Sequence, residues 1–368
     1  MTKQHSVLTR RQFLASAAAI AAFATPTMGS ISEPSKTLRE LAAQKGILYG
    51  SALRSAGMKD LSFTPLFTRQ CAIVVPEWAL EMNSLHSMPG QFDFAEGDRI
   101  QTFTTSHEML FRGHSLVWDQ ALPTWFRSSA NMDNAKQLLL NHISTVAGHY
   151  AGQVNSWDVV NEVVRIWDGR TDGLKVTPWL IYLGPDYIEL AFHAAHQADP
   201  KAMLVYNEAV IEPEIPAAEK KRQAVLALLT RLVKRGVPVH GLGIESHIDA
   251  DSNVTGPGFK RFLHAVEGLG LSILITELDV DDHALPADIS FRDALVAKQY
   301  YNYLSFMLQF KSVKTVLTWG LSDRSTWLSK HSPRKDGLSV RPLLFDADLQ
   351  PKPAFDAVMR AFDEAPRR

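Results

Sequence analysis

Short apolar runs alternate with longer amphipathic stretches along most of this chain. Continuous apolar runs of a few residues are typical of parallel strands that are buried on both faces. Eight such runs occur, at residues 47–49, 72–75, 109–111, 154–160, 203–206, 241–244, 273–275 and 316–319. The pattern therefore predicts eight strands of one buried parallel sheet.

The stretches between these runs have the spacing of helices. Residues 226–233 place apolar side chains three and four positions apart, and Gly236 and Pro238 follow directly, as is typical of a helix end. Residues 187–198 show the same pattern before Asp199 and Pro200. Eight strands that are each followed by a helix predict an α/β fold, a single (β/α)8 TIM barrel.

A doubly wound open sheet is the alternative architecture. Such a sheet usually carries a glycine-rich phosphate-binding loop after its first strand. The segment Gly50-Ser51-Ala52 does not have that form. We therefore favour the barrel and expect its catalytic domain to span residues 31–368.

Polar and aromatic residues directly follow the predicted strands. In a (β/α)8 barrel the active site lies at the carboxyl ends of the strands. The residues at these ends are carboxylates, amides, imidazoles and an indole, the groups that bind and cleave sugars. They are Glu77, His114, Asn161, Glu162, Asn207, Glu208, Glu245, His247, Glu277, Asp279 and Trp319.

Two of these glutamates have the positions that glycosidic bond cleavage requires. Glu162 ends the fourth predicted strand and Glu277 ends the seventh. One carboxylic acid must protonate the leaving oxygen, and a second carboxylate must attack the sugar or activate water. We expect strands four and seven to face each other across the barrel mouth. A carboxyl separation of about 5 to 5.5 Å would then give retention of configuration.

His247 and Asp279 are expected to support Glu277. His247 ends the sixth predicted strand, and its imidazole can donate a hydrogen bond that keeps a neighbouring carboxylate ionised. Asp279 can hold that imidazole in turn. The glutamate that acts as the acid must stay protonated, which requires a pKa raised by burial or by the negative neighbour.

The composition restricts the possible partners. The formal net charge is −1, so there is no basic excess to indicate a nucleic-acid partner, and a neutral polymer fits better. Cys71 is the only cysteine, which excludes an intramolecular disulfide and a cysteine-rich zinc site. We expect Cys71 to be a small core residue. No motif of the His-Glu-x-x-His type is present, and we expect neither a metal nor a cofactor.

Residues 1–30 have the pattern of an export signal that runs into a linker. An arginine pair, Arg10 and Arg11, precedes an alanine-rich apolar run at residues 15–24, which is typical of a twin-arginine signal. The run is too short and alanine-rich for a membrane span. The alternative is a chance arginine pair before an amphipathic helix. We expect a periplasmic or secreted monomer that has no membrane contact after signal removal.

Four ordered segments resemble glycoside hydrolase family 10, the barrel xylanases. The resemblance implies a retaining endo-β-1,4-xylanase, with Glu162 as the acid/base and Glu277 as the nucleophile. It implies xylan or a related β-glycan as the substrate. The similarity extends over about residues 38–362, and its most specific segments are RGHSLVW at 112–118, WDVVNE at 157–162, ITELD at 275–279, and PLLFD at 342–346 followed by PKPAF at 351–355.

The resemblance also implies roles around the two glutamates. Asn161 would bond the sugar 2-hydroxyl, and His247 would bond the nucleophile. Trp319 and Trp327 would be aromatic walls against the apolar face of a sugar ring. The other implied substrate-binding residues are Glu77, Trp78, Glu81, His114, Trp118, Asn207 and Glu245.

Several positions depart from the family pattern. Trp78 and Glu81 replace an Asn and a Lys that would grip the sugar one unit beyond the cleavage site. Replacing an ammonium by a carboxylate removes a donor and reverses the charge. Glu245 replaces a Gln, which adds a like charge near Glu277 and would raise the pKa of one of the two. Two further replacements are Asp119 for a His and Ala209 for a Tyr.

These departures leave alternatives to a xylanase. The same barrel could act on another β-glycan or on a decorated or short β-glycoside, or it could transfer sugars. A non-catalytic glycan-binding protein is a third hypothesis. The presence of Glu162, Asn161, Glu277 and His247 argues against that hypothesis.

Overall fold

The structure is a computed structural model that describes residues 36–368. Thr37–Arg368 form one compact unit. The predicted export signal, residues 1–30, and the predicted domain start at residue 31 lie outside the described residues. No helix between residues 36 and 368 is both long enough and apolar enough to span a bilayer.

All eight predicted strands are found, together with one short additional strand, β7. In the described part of the chain the strands are β1 (Leu48–Leu53), β2 (Ile73–Pro76), β3 (Leu110–Gly113), β4 (Val154–Asn161), β5 (Met203–Glu208), β6 (Gly241–Ile244), β7 (His247–Asp249), β8 (Ser272–Asp281) and β9 (Val313–Thr318). Because β7 is additional, β8 and β9 are the seventh and eighth strands of the predicted series.

The strands close into a parallel barrel. Neighbours follow the order β6-β5-β4-β3-β2-β1-β9-β8, and β6 also pairs with β8, which completes the ring. The closing pair is parallel over four residues, from Gly241 opposite Ser272 to Ile244 opposite Ile275. The predicted (β/α)8 TIM barrel is therefore confirmed, and the open doubly wound sheet is excluded. β7 pairs with β8 alone, at the mouth of the barrel.

Helices surround the barrel. Four of the thirteen described helices begin with proline at the first or second position, where the missing N–H costs no hydrogen bond. The helices are α1 (Leu38–Gln44), α2 (Phe63–Gln70), α3 (Met82–Leu85), α4 (Ala95–Ser106), α5 (Thr124–Ser129), α6 (Ala135–His149), α7 (Pro178–Leu183), α8 (Tyr187–Ala198), α9 (Pro216–Lys234), α10 (Pro257–Gly268), α11 (Ile289–Met307), α12 (Leu328–His331) and α13 (Pro353–Glu364). The two helices expected at residues 187–198 and 226–233 are α8 and the second half of α9.

The barrel strands are buried on both faces, as their continuous apolar runs predict. Every residue of β2 and β6 is buried. Cys71 is fully buried beside this core, which confirms its expected place. Close packing leaves no room for a side chain at Gly50, where an added Cβ would lie 1.9 Å from the carbonyl oxygen of Ile73 on β2.

The expectation that strands four and seven face each other is wrong. β5 and β6 are the two strands between β4 and β8, so β4 and β8 lie three positions apart in the ring of eight, whereas opposite strands lie four positions apart. The strand directly opposite β4 in a ring of eight is β9. The ends of β5 and β6 therefore lie between the strands that carry Glu162 and Glu277.

Gly50→Ala tests this close packing. The added methyl group would overlap the β2 backbone, so the free energy of unfolding should fall by about 1–3 kcal/mol or more. The measurement is urea unfolding of the purified variant. Gly148→Ala is the matched control, because Gly148 lies in α6 and an added Cβ there meets nothing within 4 Å. Gly148→Ala should be neutral or stabilising by up to about 1 kcal/mol. Equal stability of the two variants would contradict the packing.

Candidate active site

Glu277 lies in β8 at the barrel mouth, surrounded by donors from other strand ends. Asn207 donates from Nδ2 to Glu277 Oε1 at 2.9 Å. His247 Nε2 lies 3.2 Å from Oε2, and His114 Nδ1 lies 3.8 Å from Oε1. Burial by itself would raise the pKa of Glu277, but the two imidazoles and the Asn207 amide hold the pKa below its ordinary value. Glu277 is therefore a buried carboxylate that stays ionised.

A chain of hydrogen bonds fixes the imidazole of His247. Its Nδ1 lies 2.9 Å from Asp279 Oδ1, and Trp327 donates from Nε1 to Asp279 Oδ2 at 2.7 Å. Burial would lower the pKa of His247, but the carboxylates of Asp279 and Glu277 outweigh it and raise the pKa well above its ordinary value. His247 can thus donate to Glu277 as a protonated imidazolium.

A second chain of polar contacts, through Asp158 and Arg112, fixes the imidazole of His114. His114 Nδ1 lies 3.0 Å from Asp158 Oδ2, and Arg112 forms an ion pair with the other oxygen of Asp158. Burial would lower the pKa of His114, but Glu277, Asp158 and Glu81 raise it to about 9. His114 therefore adds a positive charge at the nucleophile position.

Glu162 directly follows β4 and has a different environment. Its backbone N–H donates to the Asn207 carbonyl at 3.0 Å, and its φ of +50° is a strained, left-handed conformation for a glutamate. Gln120 donates from Nε2 to Glu162 Oε2 at 3.0 Å. Lys175 Nζ lies 3.6 Å from the same oxygen and 2.6 Å from Asp119 Oδ1.

The pKa of Glu162 is raised above its ordinary value. Burial is the largest cause; the charges of Glu208 and Glu277 add to it, and Lys175 opposes it. The two glutamates at this mouth therefore have pKa values that are shifted in opposite directions. Such a pair is what acid/base assignments in an enzyme site require, with one carboxyl protonated and the other ionised.

Asn207 connects the two halves of the site. Besides Glu277, its Nδ2 lies 2.9 Å from Asn161 Oδ1 and 3.3 Å from Glu245 Oε1. Thr276 donates to Asn207 Oδ1 at 2.7 Å, which fixes the orientation of the amide. Asn207 lies at the end of β5, one of the two strands between the glutamates: its side chain bonds Glu277, and its backbone carbonyl accepts from the Glu162 N–H.

Aromatic rings line the same mouth. The Trp319 ring lies 5.4 Å from the His114 ring and 6.3 Å from the His247 ring. Trp327 lies 4.9 Å from His247, and Trp118 lies 6.2 Å from His114. These indoles border the two imidazoles that flank Glu277, which is where a sugar ring would need an apolar surface.

The residues after β2 form a separate group at this mouth. Arg54 forms an ion pair with buried Glu77, and its guanidinium lies 4.2 Å above the Trp78 ring. Trp78 is 48% exposed. Glu81 is buried, and burial raises its pKa to about 7 although His114 opposes the shift. Of the two replaced positions, Trp78 is therefore held against Arg54, whereas Glu81 lies within the electrostatic reach of His114 and Glu277.

Glu208 has a structural place, unlike the other polar strand ends. It is fully buried, and Lys221 Nζ lies 2.7 Å from its Oε1. The Tyr206 hydroxyl and the Val164 N–H donate to Oε2. Its carboxylate is thus occupied by groups behind the mouth, although its charge still acts on Glu162.

Sequence reasoning missed four residues that contact the site. Asp158 could have been found, because a carboxylate inside an otherwise apolar strand needs a buried partner. Arg54 directly follows β1 and was missed because the predicted first strand ends at residue 49, whereas β1 extends to Leu53. Gln120 and Lys175 lie in loops beyond the strand ends, and their approach to Glu162 depends on the loop paths. No local pattern in the sequence indicates those paths.

Two groups of described residues have ligand-type atoms within 4.8 Å of one another: Glu245, His247 and Glu277, and Asp249, Asp281 and His283. In the first group both imidazole nitrogens already lie within bonding distance of carboxylates. In the second, His283 Nδ1 lies 2.8 Å from Asp281 Oδ2, and Asp249 is exposed. Hydrogen bonding accounts for both arrangements, and the absence of a metal stays a prediction.

The family model described as "Glycosyl hydrolase family 10" matches residues 37–361. The chain belongs to glycosyl hydrolase family 10. The resemblance and the enzyme class expected from the sequence, an O-glycosyl hydrolase, are confirmed. The match extends from helix α1 to α13 and so covers the whole barrel.

Family 10 relatives differ in how much of their length this chain spans. An endo-1,4-beta-xylanase A of Thermoanaerobacterium saccharolyticum is 36% identical over 78% of this chain, which spans only 24% of that relative. An endo-1,4-beta-xylanase 2 of Claviceps purpurea is 32% identical over 94% of this chain and 98% of the relative. The crystal structure of xylanase 10B from Thermotoga petrophila RKU-1 in complex with xylobiose superposes with a TM-score of 0.81, at 29% identity, over 90% and 98% of the two chains.

The raised pKa of His114 predicts how the stability of this family 10 barrel depends on pH. Between the ordinary histidine pKa of 6.5 and about 9, folded His114 binds a proton that the unfolded chain releases. Stability should therefore fall as the pH rises through this range, by up to about 1.4 kcal/mol per pH unit for one proton. The measurement is the free energy of unfolding from urea titrations at several pH values.

His114→Gln should flatten that pH dependence. His193→Gln is the control, because His193 is exposed and lies in α8, and its removal should leave the slope unchanged. An unchanged slope in His114→Gln would contradict the charged state of His114.

Proposed function

We propose that this family 10 enzyme is an endo-β-1,4-xylanase that hydrolyses internal bonds of xylan with retention of configuration. The supporting observation is the opposite pKa shift of two glutamates at one barrel mouth: the pKa of Glu277 is lowered and that of Glu162 is raised. A pair of this kind provides an ionised nucleophile and a protonated acid at the same pH.

In the first step, Glu277 attacks the anomeric carbon of the sugar. The bond from that carbon to the bridging oxygen breaks, and Glu162 transfers its proton to the leaving oxygen. The product is a glycosyl ester of Glu277 and a free leaving-group hydroxyl. Asn207 and His247 keep Glu277 ionised and oriented before the attack, because each lies within hydrogen-bond distance of a different carboxylate oxygen.

In the second step, the roles follow from the change in charge. The ester at Glu277 is neutral, so it no longer raises the pKa of Glu162. Glu162, now ionised and supported by Lys175 at 3.6 Å, accepts a proton from water as that water attacks the anomeric carbon. The carbon–Glu277 bond breaks, and the sugar leaves with its original configuration.

The substrate assignment is supported by the relatives and by the walls of the site. The relatives described above are named xylanases, and one solved structure contains xylobiose. In this chain Trp319 and Trp327 border His247, where an apolar sugar face can stack. Asn161 lies beside Asn207 at the end of β4, where its amide can bond a sugar hydroxyl.

A second candidate keeps the reaction but changes the glycan. Glu81 and Glu245 are buried carboxyls at positions where the family pattern has a Lys and a Gln, and Trp78 is an exposed indole in place of an Asn. The sugar beyond the cleavage site therefore meets a carboxyl group at Glu81 and an aromatic ring at Trp78 instead of an ammonium and an amide. These features favour another β-glycan, or a decorated or short β-glycoside.

Product profiles on xylan, arabinoxylan, mixed-linkage glucan and aryl glycosides separate the two candidates. The xylanase proposal predicts internal cleavage of xylan, with short xylo-oligosaccharides as the products. Activity on glucan without turnover of any xylan would favour the second candidate.

We further propose that the enzyme is exported as a folded monomer to the periplasm or the medium. The support is the arginine pair at Arg10 and Arg11 with the apolar run behind it, and a single buried cysteine that needs no oxidising folding step. Replacing both arginines by lysine should leave the enzyme in the cytoplasm, which cell fractionation measures.

Glu162→Ala and Glu277→Ala should each lose most activity on xylan. Loss of the acid/base should cost about 10²–10⁴-fold, and loss of the nucleophile should cost at least as much. The two variants should differ on an aryl glycoside whose leaving group needs no proton, because only Glu277→Ala then remains inactive in the first step. Rescue by azide should give the β-glycosyl azide with Glu162→Ala and the α-glycosyl azide with Glu277→Ala.

Glu364→Ala is the control, since Glu364 is an exposed residue at the end of α13 that bonds Arg360 and Tyr301. It should keep full activity. Full xylan hydrolysis by either active-site variant, or the same anomer from both, would refute the assigned roles.

A further inference from the structure

Glu245 is a third carboxyl at the nucleophile, and the steps above do not use it. It directly follows β6, and its backbone N–H donates to the Glu208 carbonyl at 3.1 Å. The residue is 4% exposed. Ligand-type atoms of Glu245, His247 and Glu277 lie within 4.8 Å of one another. Two carboxyl groups, Glu245 and Glu277, therefore share one small buried space.

Hydrogen-bond counting shows which of the two carboxyls has the weaker hydrogen bond from Asn207. The Asn207 amide nitrogen has two hydrogens but three acceptors around it. Asn161 Oδ1 and Glu277 Oε1 lie at 2.9 Å, whereas Glu245 Oε1 lies at 3.3 Å. The two nearer acceptors take the hydrogens. No other hydrogen bond or ion pair to the Glu245 carboxyl occurs within residues 36–368.

The cations around Glu245 are committed to other carboxylates. His247 on β7 has both ring nitrogens at Glu277 and Asp279. Lys221 on α9 places its Nζ 2.7 Å from Glu208. The remaining charged neighbours are acidic, namely Glu277 on β8, Glu162 after β4 and Glu208 on β5; the titratable phenol of Tyr206 on β5 also lies near.

A buried carboxylate without a donor or a free cation is costly, and binding a proton removes that cost. The pKa directions agree: burial and the charges of Glu277 and Glu162 raise the pKa of Glu245 well above its ordinary value although His247 opposes the shift, whereas the pKa of Glu277 is lowered. Of the two neighbouring carboxyls whose like charges the sequence predicted, Glu245 is thus the one with the raised pKa, and Glu277 stays ionised.

We propose that Glu245 keeps its proton throughout the working pH range and acts as a neutral positioning residue beside the nucleophile. A neutral Glu245 leaves both hydrogens of the Asn207 amide to Asn161 and Glu277, so the nucleophile keeps its hydrogen bond. The O–H of a neutral Glu245 is an additional hydrogen-bond donor to Glu277 or to a sugar hydroxyl. The kinetic consequence of this inference rests on the proposed glycosidase function. The protonation of Glu245 does not depend on that function.

The test is Glu245→Gln, which replaces a neutral carboxylic acid by a neutral amide of the same shape. The variant should retain kcat/KM on xylo-oligosaccharides within about tenfold, the cost of one altered hydrogen bond. Both limbs of its pH–rate profile should coincide with those of the wild type. Were Glu245 ionised, its removal would delete a negative charge near Glu162 and shift the alkaline limb to lower pH by about one unit or more. Such a shift would overturn the proposal.

A measurement that needs no turnover gives an independent answer. The infrared spectrum of the wild type at neutral pH should contain the C=O band of a protonated carboxyl that is missing from Glu245→Gln. Loss of a carboxylate band in its place would contradict the proposal.

Glu212→Gln is the matched control for the pH–rate profile. Glu212 is a second buried glutamate with a raised pKa, and its carboxylate accepts a hydrogen bond from the Ile211 backbone N–H. It should leave the pH–rate limbs in place.

Glu245→Met, a second neutral variant, takes the place of Glu245→Gln if the amide prevents folding, with the same expectation for the two limbs. If the wild type cleaved no β-glycoside, the proposed function would fail. The infrared comparison would still decide the protonation of Glu245, so the two failures are distinguishable.

Discussion

The site depends on one constraint: a carboxylate, Glu277, is buried at the end of a barrel strand and must nevertheless stay ionised. Burial penalises a charged carboxyl by several kcal/mol unless donors and cations compensate. Here the compensation comes from Asn207, His247 and His114, which approach from β5, β7 and β3. Those side chains are in turn held by Thr276, Asp279 and Asp158. Much of the polar network at this barrel mouth serves to support a single negative charge.

The same charge organises the other acidic groups. Burial raises the pKa of the carboxyls Glu162, Glu245 and Glu81 around it, and the negative charge of Glu277 raises each pKa further. Glu162 carries a proton that chemistry can use, since it is partly exposed and has Lys175 to stabilise its later ionised form. Glu245 lies deeper, and the cation beside it, His247, has both ring nitrogens at Glu277 and Asp279, so Glu245 keeps its proton. Thus three glutamates with the same intrinsic chemistry differ in role: Glu277 is ionised, Glu162 has a proton that it can transfer, and Glu245 has a proton that it keeps. The donors and cations within reach of each carboxyl make the difference.

The parallel sheet was predictable because its strands are continuous apolar runs, and the barrel was favoured over a doubly wound sheet because no glycine-rich loop follows the first strand. The strand-end rule likewise located Glu162, Glu277, His247 and Asn207, since parallel strands bring their carboxyl ends together. The angular position of strands four and seven was not predictable in this way, because periodicity contains no information on ring geometry. Gln120 and Lys175 were missed because their contacts depend on loop paths, and Arg54 was missed because β1 extends four residues beyond the predicted first strand. The state of Glu245 required a count of hydrogens that only coordinates allow.

The central claim, that the negative charge of Glu277 adds to burial in raising the pKa of Glu162, can be measured directly. The nucleophile can be trapped as its ester with a fluorinated xylobioside, and the carboxyl of Glu162 can be titrated by NMR with ¹³C-labelled glutamate. The account predicts a pKa of Glu162 that is raised in the free enzyme and falls when Glu277 is esterified. A pKa of Glu162 that is unchanged by esterification, or an ester on a residue other than Glu277, would contradict it.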